Sequence, residues 1–280
     1  MSNQVQHQQD LEILEIEGET FFKIENSDRL RPFFMSIVSA SNHWMFIGSN
    51  GGLTAGRKNA EFSLFPYYSD DKIIESTEVT GPKTIVQVTN EGQLSNWEPF
   101  STFGPEKFEL TRNLYKNRYG NKLAFEEINH DLKLRFRYEW NSSNQYGFVR
   151  KAKLINEGSE QRDIRLLDGL QNILPYGVGS DLQMKQSNLV DAYKRNELDP
   201  NSGLGIFALS AIIVDRAEPS EALKANVAWH KGLPNPKYLV SPKQLPDFKV
   251  GKEITSETDV KAEKGAFLAV SEFQLPAGKE

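Results

Sequence analysis

Between Phe108 and Leu170 apolar and polar residues alternate in short runs separated by polar turns. From Leu132 to Trp140 every even position is apolar or aromatic and every odd position is charged. A period of two belongs to a strand with one face buried and the other in water. Five such segments fall near 108–118, 122–128, 132–140, 146–156 and 162–170. The turns between them, around Tyr119–Asn121, Asn129–Asp131, Asn141–Asn144 and Asn156–Ser159, carry the Gly, Asn and Asp residues that tight turns favour. Connections this short predict an antiparallel meander of sequential neighbours.

The flanking pattern is also strand-rich. Leu11–Ile16 and Thr20–Ile24 read as strands around a turn at Glu17–Glu19, and His43–Ile47 as a buried strand ending at the Ser49–Gly52 turn. Thr84–Thr89 and Gly265–Leu275 are further strands, and Ile206–Asp215 with Ala222–Trp229 suggests a hairpin. From Gly51 to Ser69 the glycines and Pro66 predict no regular element, yet Phe62, Phe65, Tyr67 and Tyr68 crowd there. An aromatic loop of this length is either functional or a cover over a sheet edge. Ser180–Asn196 predicts a short helix capped by Ser180, with Leu182, Leu189 and Tyr193 on one face. Gly232–Pro246 reads as a proline-rich loop, and the polar residues 1–10 as a disordered tail. The expected class is all-β and antiparallel with one or two short helices. Residues 11–280, without repeat or linker, read as a single domain.

Composition narrows the possible chemistry. Apolar residues make up 38% and aromatic residues 11%, enough for a sizeable core, while a net charge of −5 with mixed signs leaves no basic stripe for nucleic acid. No apolar run approaches the roughly 20 residues of a membrane span. Cysteine is absent, which excludes disulfides, thiolate metal sites and a cysteine nucleophile and fits a cytoplasmic protein. The N-terminus has neither the basic nor the apolar region of a signal peptide.

No catalytic motif stands out. His7, His43, His130 and His230 lack metal-ligand spacing to one another, so no metal or other cofactor is expected. Glu126 and Glu127 are neighbours on a strand and point to opposite faces, so they cannot flank one glycosidic bond. Asp70 and Asp71 read as the end of the aromatic loop. Gly177 and Gly179 fall outside any phosphate-loop pattern. Asp168 lies where alternation predicts an inward residue, so it must be paired or hydrogen-bonded. It and nearby Asn172 read as a turn lock or as ligand contacts. Aromatic rings beside polar donors are the signature of sugar recognition. Asn42, His43, Trp44, Arg57, Tyr67 and Tyr68 could supply both, whereas Trp140 and Trp229 read as core.

Arg31–Phe34, Trp44, the Ser49–Gly52 turn, the aromatic loop and a meander ending in Arg165–Pro175 occur in an order that resembles the N-terminal domain of large carbohydrate-active proteins. The nearest family is the cellobiose phosphorylase group and its glycoside-hydrolase relatives, and the resemblance spans roughly residues 20 to 275. It implies a β-supersandwich of the galactose-mutarotase-like type, followed in such proteins by an (α/α)6 barrel that carries the general acid. On that basis the chain would be a non-catalytic accessory domain of a glycoside phosphorylase or hydrolase. It would pack on the C-terminal barrel, help shape the site for a sugar or oligosaccharide, and could support a homodimer. Its stop just after the last strand fits a fragment. No catalytic residue carries over, and the histidine pair and glutamate of mutarotases find no match. The alternatives are a carbohydrate-binding module and an aldose epimerase-like enzyme. Exposure of Trp44, Tyr67 and Tyr68 favours the module, and burial of all three excludes it. The enzyme requires His43 or His230 to converge with a carboxylate.

Overall fold

The computed structural model describes residues 12–37, 39–90, 92–211 and 224–280. The polar tail and the parts of the 206–215 and 222–229 segments at 212–223 lie outside the described residues. In chain order the first strands are β1 (Glu12–Ile16), β2 (Glu19–Ile24), β3 (Phe34–Ile37), β4 (His43–Gly48), β5 (Leu53–Arg57), β6 (Gly81–Asn90) and β7 (Gln93–Trp97). The alternating region supplies β8 (Leu110–Asn117), β9 (Leu123–Asn129), β10 (Leu134–Ser143), β11 (Gly147–Asn156) and β12 (Arg162–Ile173). Then come β13 (Lys194–Asp199), β14 (Leu204–Leu209), β15 (Asn226–Ala228), β16 (Lys237–Leu239), β17 (Asp259–Lys261) and β18 (Gly265–Leu275). The helices are α1 (Asp70–Glu75), α2 (Ser180–Tyr193) and α3 (Leu245–Lys249), three rather than one or two. None is long and apolar enough to cross a membrane.

Among the described residues every strand pairing is antiparallel, and the strands form four sheets in a propeller-like arrangement. The six-stranded sheet runs β1-β2-β8-β9-β10-β11 and the five-stranded sheet β16-β18-β12-β6-β7. A four-stranded sheet runs β15-β14-β13-β17, and β3-β4-β5 forms the fourth. The meander therefore holds for four strands and breaks at the fifth. β10 follows its sequence pattern, with Leu134, Phe136, Tyr138 and Trp140 buried on one face. β12 does not, because adjacent Leu166 and Leu167 are both buried, one in the central core and the other in a second core. A strand covered on both faces loses its alternation. The Asn156–Ser159 segment is consequently a crossing between sheets. Asn156 anchors it by donating through Nδ2 to the Leu275 carbonyl at 3.0 Å and by backbone bonds with Gly278 and Lys279.

Three further expectations are corrected. The glycine-rich stretch after Gly51 contains β5, whose Gly56 lies so close to the Trp44 ring and the Phe62 carbonyl that a Cβ there would sit 2.6 and 2.5 Å from them. Glycine permits this approach rather than breaking the strand. α2 buries Gln183 and Val190 while Leu189 is exposed, and Gly179 rather than Ser180 takes the N-cap position. The 232–246 loop contains β16, which extends the five-stranded sheet. Of the expected pairing between 206–215 and 222–229, the described residues show β14 antiparallel to β15, with Gly205–Phe207 opposite Asn226–Ala228.

One acid organises the centre of the six-stranded sheet. Glu127 is fully buried and accepts from Trp97 Nε1 at 2.6 Å, Phe100 N at 2.8 Å and Arg112 Nε at 2.6 Å. Phe100 is held at φ 65°, a left-handed value that costs a bulky residue roughly 1–3 kcal/mol. Its N–H thereby reaches the carboxylate, tying the segment after β7 to β8 and β9. Glu126, on the opposite face, accepts from Asn113 and Tyr115. Glu127→Ala would leave Arg112 and the indole N–H without their acceptor, at a cost of about 3–5 kcal/mol. Urea unfolding is expected to show that loss, with Glu127→Gln retaining part of the stability.

Candidate functional site

The predicted contact residues divide between two places. Asn42, His43, Trp44, Arg57, Tyr67 and Tyr68 gather around the β4–β5 hairpin and the loop after it. Trp44 stands edge-on to Tyr67 at 5.7 Å and lies 6.0 Å from Phe46, which with Tyr67 and Tyr68 is substantially exposed. This makes an aromatic ridge, although Trp44 itself is half-buried and its Nε1 faces inward without a partner. Its polar neighbours are engaged in structure. Asn42 holds a left-handed turn at φ 59°, and its carbonyl accepts from Lys58 N at 2.8 Å. His43 is buried, 2.9 Å from Ser142 Oγ and 5.0 Å from the Phe148 ring. Arg57 pairs with it in backbone register and is exposed.

Asp168 and Asn172 sit elsewhere, on β12. Asn172 occupies a bulge opposite β18 at φ 58° and donates to Thr80 Oγ1 at 2.8 Å. That is the geometry of a turn lock. Asp168 belongs to a cleft of about 550 Å³ whose lining includes Phe136, Arg150, His230, Lys231 and Phe273. Here β11 of the six-stranded sheet faces β12 of the five-stranded sheet. Arg150 forks onto Asp168, with Nη1 at 2.8 Å from Oδ2 and Nη2 at 3.0 Å from Oδ1. Thr84 of β6 donates to the same Oδ1 at 2.5 Å. The guanidinium stacks over the Tyr138 ring at 4.6 Å, so a cation, an acid and an aromatic face share one buried knot.

His230 completes the cleft from the segment after β15. Burial lowers its pKa below the ordinary histidine value against an opposing pull from Asp168. The ring is therefore neutral at neutral pH and keeps a lone pair for hydrogen bonding. Its Nδ1 lies 3.5 Å from the Tyr238 hydroxyl. Beside it, Trp229 is 45% exposed, which corrects its assignment to the core; it packs at 5.8 Å against the exposed Tyr146 at the β10–β11 turn.

Arg150, Thr84, Lys231 and Tyr146 escaped the reading of the sequence. A signal existed for Arg150. It is the register partner of inward-facing Trp140, so a charge was bound to fall on a buried face. Lys231 and Trp229 carried no such signal, because an irregular segment has no periodicity. Among the described residues, no group of three or more His, Asp and Glu could hold a metal ion.

Acid sensitivity follows from the buried histidines. Burial, and then Arg57, lower the His43 pKa, so the unfolded chain takes up its proton first as pH falls. The stability linked to His43 is full above about pH 6.5 and is lost as pH falls through the lower folded value. Melting temperatures from pH 7.5 to 5 are expected to fall less steeply for His43→Gln than for wild type.

No family model matches this chain and no curated protein matches it, so the function is argued from the cleft.

Proposed function

We propose that the chain is a carbohydrate-binding β-domain of the supersandwich type, the non-catalytic accessory part of a carbohydrate-processing protein whose chemistry resides on a helical barrel. The six- and five-stranded sheets would be the two layers, since residues from both fill one central core and Arg150 bridges them to Asp168. The observation that carries the reading is the cleft itself. It presents the polar groups of Arg150 and Asp168, held from behind by Thr84, and a neutral imidazole at His230, whose sequence neighbour Trp229 forms an exposed pair with Tyr146. Fixed donors and acceptors orient sugar hydroxyls while an exposed ring covers the apolar face of a pyranose.

A non-catalytic role fits the state of Asp168. Its oxygens accept from both Arg150 terminal nitrogens and from Thr84, which fixes its position. The epimerase alternative is favoured by one observation, the presence of His230 and Asp168 in the same cleft. An NMR assay of anomer interconversion tests it, and a rate above buffer that His230→Ala abolishes would establish it.

Isothermal titration against a panel of mono- and oligosaccharides tests the binding reading. Trp229→Ala is expected to weaken binding about fivefold or more without lowering the melting temperature, as loss of an aromatic contact worth about 1 kcal/mol requires. Trp44→Ala is expected to leave affinity unchanged. Binding by no sugar, or binding lost only in Trp44→Ala, would overturn the assignment to this cleft.

A further inference from the structure

The charges of the cleft are almost fully paired. Arg150 is neutralised by Asp168 through the fork. Lys153 lies 3.0 Å from Glu280 and 3.9 Å from Glu17. Lys231 is the exception. It lines the cleft and is exposed, and no ion pair or hydrogen bond engages its ammonium among the described residues. The two acids that line the cleft with it, Asp168 and Glu280, each already have a cation. Among the side chains that line the cleft, Lys231 is therefore the cation left without an acidic partner, on a chain whose overall net charge is −5. A general excess of lysine does not explain it.

On the carbohydrate reading of this cleft, we propose that its ligand is a saccharide bearing an acid group, which Lys231 receives while Arg150, Asp168 and His230 orient the hydroxyls. An ammonium is a compact point charge on a flexible stem and suits an anion presented at the mouth of a cleft. The carboxylates that could repel such a ligand, Asp168 and Glu280, are offset by Arg150 and Lys153. A neutral sugar would leave the Lys231 charge unused, and a cationic amino sugar would be opposed by it.

Titration calorimetry with glucuronic acid and galacturonic acid trisaccharides, each against its methyl ester, tests this directly. Esterification removes the charge and keeps the shape. The acid form of at least one pair is expected to bind about threefold or more tighter than its ester in 50 mM salt, with the gap closing at 500 mM as screening grows. Lys231→Met, which keeps the aliphatic stem, is expected to abolish the preference for acid over ester, and Lys231→Arg to retain it. Equal binding of acid and ester, binding of neutral sugars alone, or a preference that survives Lys231→Met would overturn the inference and leave the carbohydrate reading standing. Binding of no saccharide of any kind would overturn both.

Discussion

The fork of Arg150 onto Asp168 is the contact on which the architecture turns. Its two residues belong to different sheets, on strands that follow one another in sequence but do not pair. Both are largely buried charges at the floor of a cleft, and loss of either would leave the other uncompensated. The pair is seated on Tyr138 and capped by Thr84, so three strands and two sheets are registered by one carboxylate. Apolar packing around it supplies most of the stabilisation, but packing alone is compatible with many sheet-to-sheet alignments. A bidentate fork is not, since both nitrogens and both oxygens must coincide.

The same contact produces the cleft. Where β11 and β12 part company, the space between them is floored by the ion pair rather than filled by aliphatic side chains. The segment after β15 then supplies His230, Lys231 and Leu233 along one wall. Ser271 donates to the Pro234 carbonyl at 2.5 Å, which fixes that wall against β18. Rigid polar groups on strands with adaptable ones on a flanking segment are the usual division of labour at a ligand site. Glu127 plays a comparable role deeper in the molecule, where it is fully buried and held by Trp97, Phe100 and Arg112.

Much of the fold was legible in the sequence because one face of the six-stranded sheet is solvated at β10 and β11. There alternation survives, and strand positions and most turns follow from it. Legibility failed where both faces are covered. β12 shows adjacent buried leucines, so its departure into another sheet left no periodic trace, and β5 was hidden by a glycine that exists to admit Trp44. Of the site, Asp168 was legible as an acid at an inward position. The partner that makes it tolerable was not, because strand pairing decides it, and pairing across sheets is not written in local spacing. His43 and Trp44 are close together as their sequence neighbourhood suggested, but burial turns the histidine toward Ser142 and away from solvent.

The central claim is that ligands enter between β11, β12 and the segment after β15, not on the aromatic ridge of β4 and β5. Hydrogen–deuterium exchange with and without a bound oligosaccharide tests this on the unmodified protein. The account predicts added protection confined to segments 147–154, 164–170 and 229–236. Protection centred on 43–48 and 62–68, with those three segments unchanged, would contradict it and move the site to the ridge around Trp44 and Tyr67.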